Sequence, residues 1–119
     1  MPVIETKLDL RTEQFAQNRA HMLAALGELD ALYAQAAQGG GEETLARLRK
    51  RGKMPLRERI SLVLDPDSPF LEISPLAAWR SNYEVGSGFV VGIGVIEGVE
   101  CVILGHDPSV RAGAFNPFN

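Results

Sequence analysis

The first third of the chain carries apolar residues at the spacing of one helix face. Five of them lie three, four or seven positions apart: Phe15, Met22, Leu26, Leu29 and Tyr33. The residues between them are mostly Ala, Gln and Glu, which favour helix. Asp9 or Thr12 is a suitable cap, and the glycines at 39–41 make further helix costly. The pattern predicts a long helix from residue 12 to about residue 38.

Two shorter helices are predicted before the turn at residue 65. The first opens at Glu42 and Glu43 and closes in a run of basic residues, so its charges oppose the helix dipole at both ends. Gly52 suits the position after its last turn. Pro55 suits the first turn of the next helix, because the N–H that proline lacks would be unpaired there. The apolar side of that helix consists of Leu56, Ile60, Leu62, Val63 and Leu64.

Beyond a turn at residues 65–69, the pattern changes from helical to extended. Residues 70–73 form a short strand candidate, and residues 89–96 and 100–104 are two apolar runs rich in β-branched residues. The Glu-Gly pair at 97–98 predicts a tight hairpin between them. Both runs are apolar at nearly every position, which is typical of a sheet covered on both faces.

A hairpin and one short strand cannot cover both of their own faces. We therefore expect the first, incomplete part of a larger α/β domain, with a helical first half followed by a β hairpin. The predicted boundaries are a helical region at residues 1–65 and the start of the sheet domain at residues 66–119. Oligomerisation is the alternative way to complete the core.

Composition limits the classes of partner and location. The chain has 119 residues, 45% of them apolar, and a net charge of −3, which argues against nucleic acid or an anionic membrane as an obligate partner. Cys101 is the only cysteine, so no intrachain disulfide forms, as is usual in a reducing compartment. The first seven residues lack a signal-peptide or transit-peptide layout, and no apolar run is long enough to span a bilayer. We expect a cytoplasmic protein.

The glycines and histidines give only weak motifs. Gly92, Gly94 and Gly98 lack the G-x-G-x-x-G spacing of dinucleotide-binding loops, and a strand follows them, so hairpin and close sheet packing are favoured. His21 and His106 are too few for a metal site, and none is expected. His106 follows a strand end, but no activated nucleophile lies beside it in the sequence.

Residues 47–59 form a basic segment in which Glu58 is the only acid. Its basic residues are Arg47, Arg49, Lys50, Arg51, Lys53, Arg57 and Arg59. One interpretation is a solvated helix end with ion pairs inside the chain. Another is a site for a phosphate-rich ligand, which Arg and Lys bind well. Nucleic acid is the weakest interpretation, because no aromatic residues for base stacking are interleaved.

The segment 105–114 follows the last predicted strand and contains two glycines and a proline. In open α/β sheets, ligands gather at the carboxyl ends of strands. The small residues at 112–114 allow backbone N–H groups to approach a ligand oxygen, as an oxyanion donor must. Arg111 is a candidate contact for a phosphate group. An ordinary surface loop is the alternative.

The chain as a whole resembles a known family in five stretches whose order and spacing match across nearly all of its length. The stretches are residues 39–42, 48–60, 64–72, 91–94 and 98–103. Together they closely resemble the opening of the carboxyltransferase (β) subunits of biotin-dependent acyl-CoA carboxylases. The N-terminal helix is most similar to the methylcrotonoyl-CoA branch, with the propionyl- and geranyl-type enzymes close by.

The resemblance implies a crotonase-like α/β fold and an activity. Family members transfer a carboxyl group from carboxybiotin to an acyl-CoA, and biotin is carried by a partner, the biotin carboxylase or biotin carboxyl carrier subunit. Their subunits form large homo-oligomers. The glycines that hold the enolate lie beyond residue 119 in the family, so we expect no catalytic residue in this chain. We expect it to be inactive alone and to act as part of a longer subunit.

The resemblance also points to one substrate-binding loop. The family pattern after the second hairpin strand is Asn-Asp-x-Thr-Val-Lys-Gly-Gly, and residues 106–113 here read His-Asp-Pro-Ser-Val-Arg-Ala-Gly. The implied acyl-CoA wall consists of Val110, Arg111, Ala112 and Gly113. His106, Ser109 and Ala112 depart from the pattern, and the Ala112 change is the expected mark of a subfamily with a different acyl group. The alternative is a structural or oligomerisation segment that binds no ligand by itself.

Overall fold

The computed structural model describes residues 3–119. Met1 and Pro2, which belong to the predicted helical region 1–65 and to the first seven residues that lack a signal-peptide layout, lie outside the described residues. The chain divides into two compact units, a first that ends at Ala31 and a second that runs from Leu32 to Asn119. The predicted domain boundary after residue 65 stays a prediction.

Three helices occupy the first half of the chain, as the apolar spacing predicts. They are α1 (Glu13–Ala37), α2 (Glu42–Lys50) and α3 (Leu56–Val63). Thr12 caps α1, because its hydroxyl oxygen accepts a hydrogen bond from the Phe15 amide at 3.2 Å. Pro55 lies one position earlier than predicted, as the cap residue of α3 rather than within its first turn.

The second half forms a three-stranded antiparallel sheet. Its strands are β1 (Leu71–Glu72), β2 (Phe89–Ile96) and β3 (Val99–His106), in the order β1-β2-β3. Ile96 pairs with Val99 across the hairpin, and Glu97 and Gly98 both adopt positive φ, at 50° and 76°. The predicted hairpin is confirmed, and β3 runs two residues further at its end than the sequence pattern indicates, to His106.

A single aspartate holds the hairpin turn against the end of α3. The Asp65 carboxylate accepts hydrogen bonds from the amides of Glu97 at 2.6 Å and of Gly98 at 2.8 Å. The Asp65 amide in turn donates to the Val95 carbonyl at 2.9 Å. Asp65 therefore joins the turn after α3 to the tip of the hairpin, and Glu97 lies 32 positions after it in the chain.

The core lies between α3 and one face of the sheet. Leu56 and Ile60 of α3 pack with Val90, and Leu64, Phe70 and Ile103 surround them. Glycine is required in the strands because α3 and the Phe70 side chain come so close to them. A Cβ at Gly105 would lie 2.7 Å from a Leu56 methyl carbon, and one at Gly94 would lie 3.2 Å from the Phe70 ring. The close-packing interpretation of the sheet glycines is confirmed.

The opposite face of the sheet is apolar and uncovered. Ile93 is opposite Val102 in the register, and Leu104 lies two positions further along the same face. Val102 and Leu104 keep 68% and 65% of their surface exposed. The described residues cover one face of the sheet, the side on which α3 packs, and burial of the second face in a larger domain stays a prediction.

Candidate functional site at the end of strand β3

The loop predicted to bind substrate begins where β3 ends. The Asp107 amide donates to the Gly88 carbonyl at 2.8 Å, which fixes the chain as it leaves the sheet. Val110 is buried, with 7% of its surface exposed, and a Cβ at Gly88 would lie 2.8 Å from its side chain. A short 3-10 turn, Arg111–Gly113, follows. Val110 therefore anchors the start of the 110–113 loop to the fold.

The 110–113 loop has an unusual backbone. Arg111, Ala112 and Gly113 all adopt positive φ, at 44°, 55° and 77°. This left-handed region suits glycine and costs other residues about 1–2 kcal/mol each. Ala112 is therefore held there under strain that a glycine at the same position would not have.

The glycines after α1 hold this loop from the other side. The Gly40 amide donates to the Ser109 hydroxyl oxygen at 2.9 Å, and the Ser109 amide donates to the Asp107 carboxylate at 2.8 Å. A Cβ at Gly40 would overlap the Ser109 carbonyl group, and one at Gly39 would lie 2.6 Å from an Asp107 carboxylate oxygen. The glycine run therefore ends α1 and also allows close contact with the loop.

Arg111 is engaged within the chain. Its Nε donates to the Glu84 carboxylate at 2.9 Å, and Nη2 donates to the Asn82 carbonyl at 3.3 Å. Its guanidinium lies 4.6 Å from the centre of the Tyr83 ring. No sequence pattern predicts these partners, because Glu84 lies in a loop without regular periodicity and 27 positions before Arg111. Arg111 thus ties the 110–113 loop to residues 82–84.

Arg57 joins α3, β1 and the loop electrostatically. Two of its nitrogens donate to the two oxygens of Glu72, both at 2.7 Å, and the two side chains are 34% and 20% exposed. These hydrogen bonds raise the pKa of Arg57 above its ordinary value, against an opposing effect of burial, and the charges of Glu72 and Asp107 add to the rise. Arg57 therefore keeps its positive charge beside the Asp107 end of the loop.

His106 shows no arrangement for proton transfer. Its ring lies edge-on between Phe89 and Phe115, with centroids 5.0 and 4.5 Å away. Its Nδ1 is buried and has no hydrogen-bond partner within residues 3–119. No group of three or more His, Cys, Asp or Glu side chains that could hold a metal ion occurs in the described part of the chain.

Ion pairs account for part of the basic segment. Arg47 pairs with Glu43 at 3.1 Å, Arg49 pairs with Glu58, and Arg57 pairs with Glu72. Within residues 3–119, the other four cations make no ion pair: Lys50, Arg51, Lys53 and Arg59. The ion-pair interpretation therefore holds for three of the seven basic residues.

Comparison with known proteins assigns the family. The family model described as the carboxyl transferase domain matches residues 47–119. The chain belongs to the carboxyl transferase domain family. The predicted resemblance to this family is confirmed. Among the residues that the structure describes, no helix is long and apolar enough to cross a membrane.

Curated relatives of this carboxyl transferase chain are acyl-CoA carboxylase β subunits. It is 44% identical over 116 residues to the probable biotin-dependent acyl-coenzyme A carboxylase beta2 subunit of Mycobacterium tuberculosis. That match covers 98% of this chain and 22% of the relative. It is 35% identical over 118 residues to the probable mitochondrial methylcrotonoyl-CoA carboxylase beta chain of Drosophila melanogaster, covering 97% and 20%. The chain thus spans about a fifth of the length of these relatives.

Solved structures match in the same way. The β subunit of Pseudomonas aeruginosa geranyl-CoA carboxylase is 38% identical with a TM-score of 0.83, covering 94% of this chain and 21% of that subunit. Transcarboxylase 12S, described as a hexamer assembly with methylmalonyl-coenzyme A and methylmalonic acid bound, is 27% identical with a TM-score of 0.69, covering 78% and 19%. The predicted fold class is confirmed, because helices followed by an antiparallel hairpin match part of the carboxyltransferase fold.

Proposed function

We propose that this chain forms part of the acyl-CoA site of a biotin-dependent carboxyltransferase, which moves a carboxyl group from carboxybiotin to an acyl-CoA. The observation that carries the proposal is the 44% identity to an acyl-coenzyme A carboxylase β subunit over 98% of the chain. The acyl-CoA wall is the 110–113 loop: Val110, Arg111, Ala112 and Gly113.

Exposed backbone donors support this role for the loop. The amides of Arg111 and Ala112 make no hydrogen bond within residues 3–119, and both residues are exposed. Hydrogen-bond donors that are fixed before the ligand arrives are most effective, because no reorganisation is needed. Val110, Ser109 and Arg111 hold the loop at three separate points. Two fixed N–H groups would therefore face an oxygen of the bound thioester or of its pantetheine amides.

The cofactor and the partners follow from the same proposal. Biotin would be carried by a biotin carboxylase or biotin carboxyl carrier partner and would supply the carboxyl group, and no residue of this chain is assigned to it. A homo-oligomer of carboxyltransferase subunits is proposed, in line with the hexamer described for transcarboxylase 12S. A cytoplasmic location stays a prediction, since some relatives are mitochondrial proteins. No nucleic-acid or membrane partner is proposed.

The loop assignment is testable in an active subunit. We would replace the matching segment of the geranyl-CoA carboxylase β subunit by this chain and measure KM for acyl-CoA. Arg111→Ala and Gly113→Leu are expected to raise KM about tenfold or more, because they displace or block the loop. Arg51→Ala removes an exposed cation elsewhere and is the matched control. Unchanged KM in both loop variants would show that the pocket assignment is wrong.

One observation favours a second function as a structural or oligomerisation segment. The uncovered face around Val102 and Leu104 is apolar and suited to packing against other protein. That function predicts an oligomer that depends on protein concentration and a chain that binds no acyl-CoA. Sedimentation equilibrium of the wild type and of the Val102→Lys variant, with calorimetry against acyl-CoA, separates the two functions.

A further inference from the structure

Two cations of the basic segment converge beside the proposed acyl-CoA loop. Lys53 follows the end of α2 and Arg59 lies in α3, and both are exposed. With Met54 and Pro108 they line one open cavity of about 490 Å³. The lining carries two positive charges and no negative charge.

The cavity adjoins the 110–113 loop. Pro108 belongs to the same chain segment as the loop, and a Cβ at Gly113 would lie 3.7 Å from the Pro108 Cα. Arg59 also lines a mostly apolar cavity of about 260 Å³ that extends to His106. A ligand with a strongly anionic part and an apolar part fits this neighbourhood better than a free anion does.

The remaining charges explain why these two side chains are available. Arg57 is held by Glu72 and Arg49 by Glu58, while Arg111 is held by Glu84. Lys53 and Arg59 make no ion pair within the described residues 3–119. A phosphate group binds most strongly to cations that do not first have to break an ion pair with a carboxylate. Arg111 is therefore the weaker candidate for a phosphate contact.

We infer that Lys53 and Arg59 bind the phosphate groups of coenzyme A. The inference rests on the proposed function, because the 110–113 loop beside the cavity takes the acyl-pantetheine end of the same molecule. Arg59 supplies a planar fork of donors that suits phosphate oxygens, and Lys53 adds a mobile point charge. Arg59 lies within α3 and Lys53 lies three residues after the end of α2, which limits the reorganisation that binding requires.

The test is calorimetry on the β subunit that carries this chain in place of its matching segment, with three probes: coenzyme A, its 3′-dephospho form and S-acyl-pantetheine. Lys53→Gln and Arg59→Gln are each expected to weaken coenzyme A binding about tenfold or more, since each removes a charge-assisted contact. Binding of S-acyl-pantetheine, which has no phosphate, should be unchanged. Lys50→Gln is the matched control, because Lys50 is an unpaired cation of the same segment outside this cavity. If the wild type binds 3′-dephospho-coenzyme A more weakly than coenzyme A, the 3′-phosphate occupies the site. If only S-acyl-pantetheine binds more weakly, the pyrophosphate occupies it.

The outcomes separate this inference from the proposed function. If Lys53→Gln and Arg59→Gln bind coenzyme A like the wild type while Gly113→Leu weakens S-acyl-pantetheine, the inference is overturned and the loop assignment stands. If the two cation variants weaken coenzyme A and Gly113→Leu changes nothing, the loop assignment fails and the phosphate site stands. Equal weakening by Lys50→Gln, or no binding of coenzyme A by the wild type, overturns the inference.

Discussion

Gly40→Ala places a methyl group at the contact between the end of α1 and the substrate loop. Gly40 does not adopt a positive φ, so the substitution adds no backbone strain of its own. The new Cβ would overlap the carbonyl group of Ser109, whereas ordinary contact begins at 3.4 Å. Relief requires one of the two segments to move by on the order of 1–2 Å. Because Val110 and Asp107 hold the loop to the sheet, we expect the glycine segment to move away from the loop and the Gly40–Ser109 hydrogen bond to be lost.

The expected loss of stability follows from these two effects. Overpacking a close contact costs about 1–3 kcal/mol, and a lost hydrogen bond costs about 0.5–1.5 kcal/mol. Gly40→Ala should therefore lower the free energy of unfolding by about 2–4 kcal/mol. With a urea slope of about 2 kcal/mol per molar, the unfolding midpoint of the variant falls by about 1–2 M.

Two glycine variants serve as controls in the same urea titration. Gly41 adopts φ of 81° and has no atom within 4 Å of its Cβ position, so Gly41→Ala reports backbone strain without overlap and should cost about 1 kcal/mol. Gly27 lies within α1 with open space around it, so Gly27→Ala should stabilise by about 0.5–1 kcal/mol. A free energy of unfolding for Gly40→Ala within about 0.5 kcal/mol of the wild-type value would refute the close contact between residue 40 and the loop.

Three further substitutions test single interactions, each by urea unfolding. Ala112→Gly should stabilise the chain by about 1 kcal/mol, since glycine adopts the positive φ without strain, and a loss of stability would contradict the left-handed backbone. Glu72→Gln should cost about 1–2 kcal/mol after allowance for the partial exposure of the pair. The pKa of Arg57 is raised in the folded chain, so the Arg57–Glu72 pair loses its stabilising effect only when the pH rises above the ordinary pKa of arginine. The loss of stability in Glu72→Gln should therefore be constant from about pH 7 to about pH 10. Asp65→Ala should cost about 1–2 kcal/mol by freeing two turn amides, and an unchanged midpoint would show that the turn does not depend on Asp65.

Local patterns were enough to predict the elements of the fold. The spacing of apolar residues gave the three helices, because a helix face repeats every three or four positions within the same segment. The Glu-Gly pair at 97–98 gave the hairpin, because both residues must adopt positive φ there. Such signals are complete within a few neighbouring residues, and the structure follows them to within two residues at most element ends.

The contacts that shape the candidate site join distant segments. The Gly40–Ser109 hydrogen bond spans 69 positions and Arg111 reaches Glu84 across 27, so no local pattern contains either pair. The glycine run signalled a helix end, but a close approach by another segment requires glycine equally. The strained backbone of Ala112 is visible only in the folded loop, since alanine by itself favours helix.

The acyl-CoA site itself is tested most directly by the steady-state kinetics of the active β subunit that carries this chain in place of its matching segment. We predict carboxylation of acyl-CoA with a KM that rises about tenfold or more for Gly113→Leu and for Arg59→Gln, and that does not change for Lys50→Gln. A folded and active subunit in which neither Gly113→Leu nor Arg59→Gln alters the KM for acyl-CoA would contradict the assignment of this chain to the substrate site.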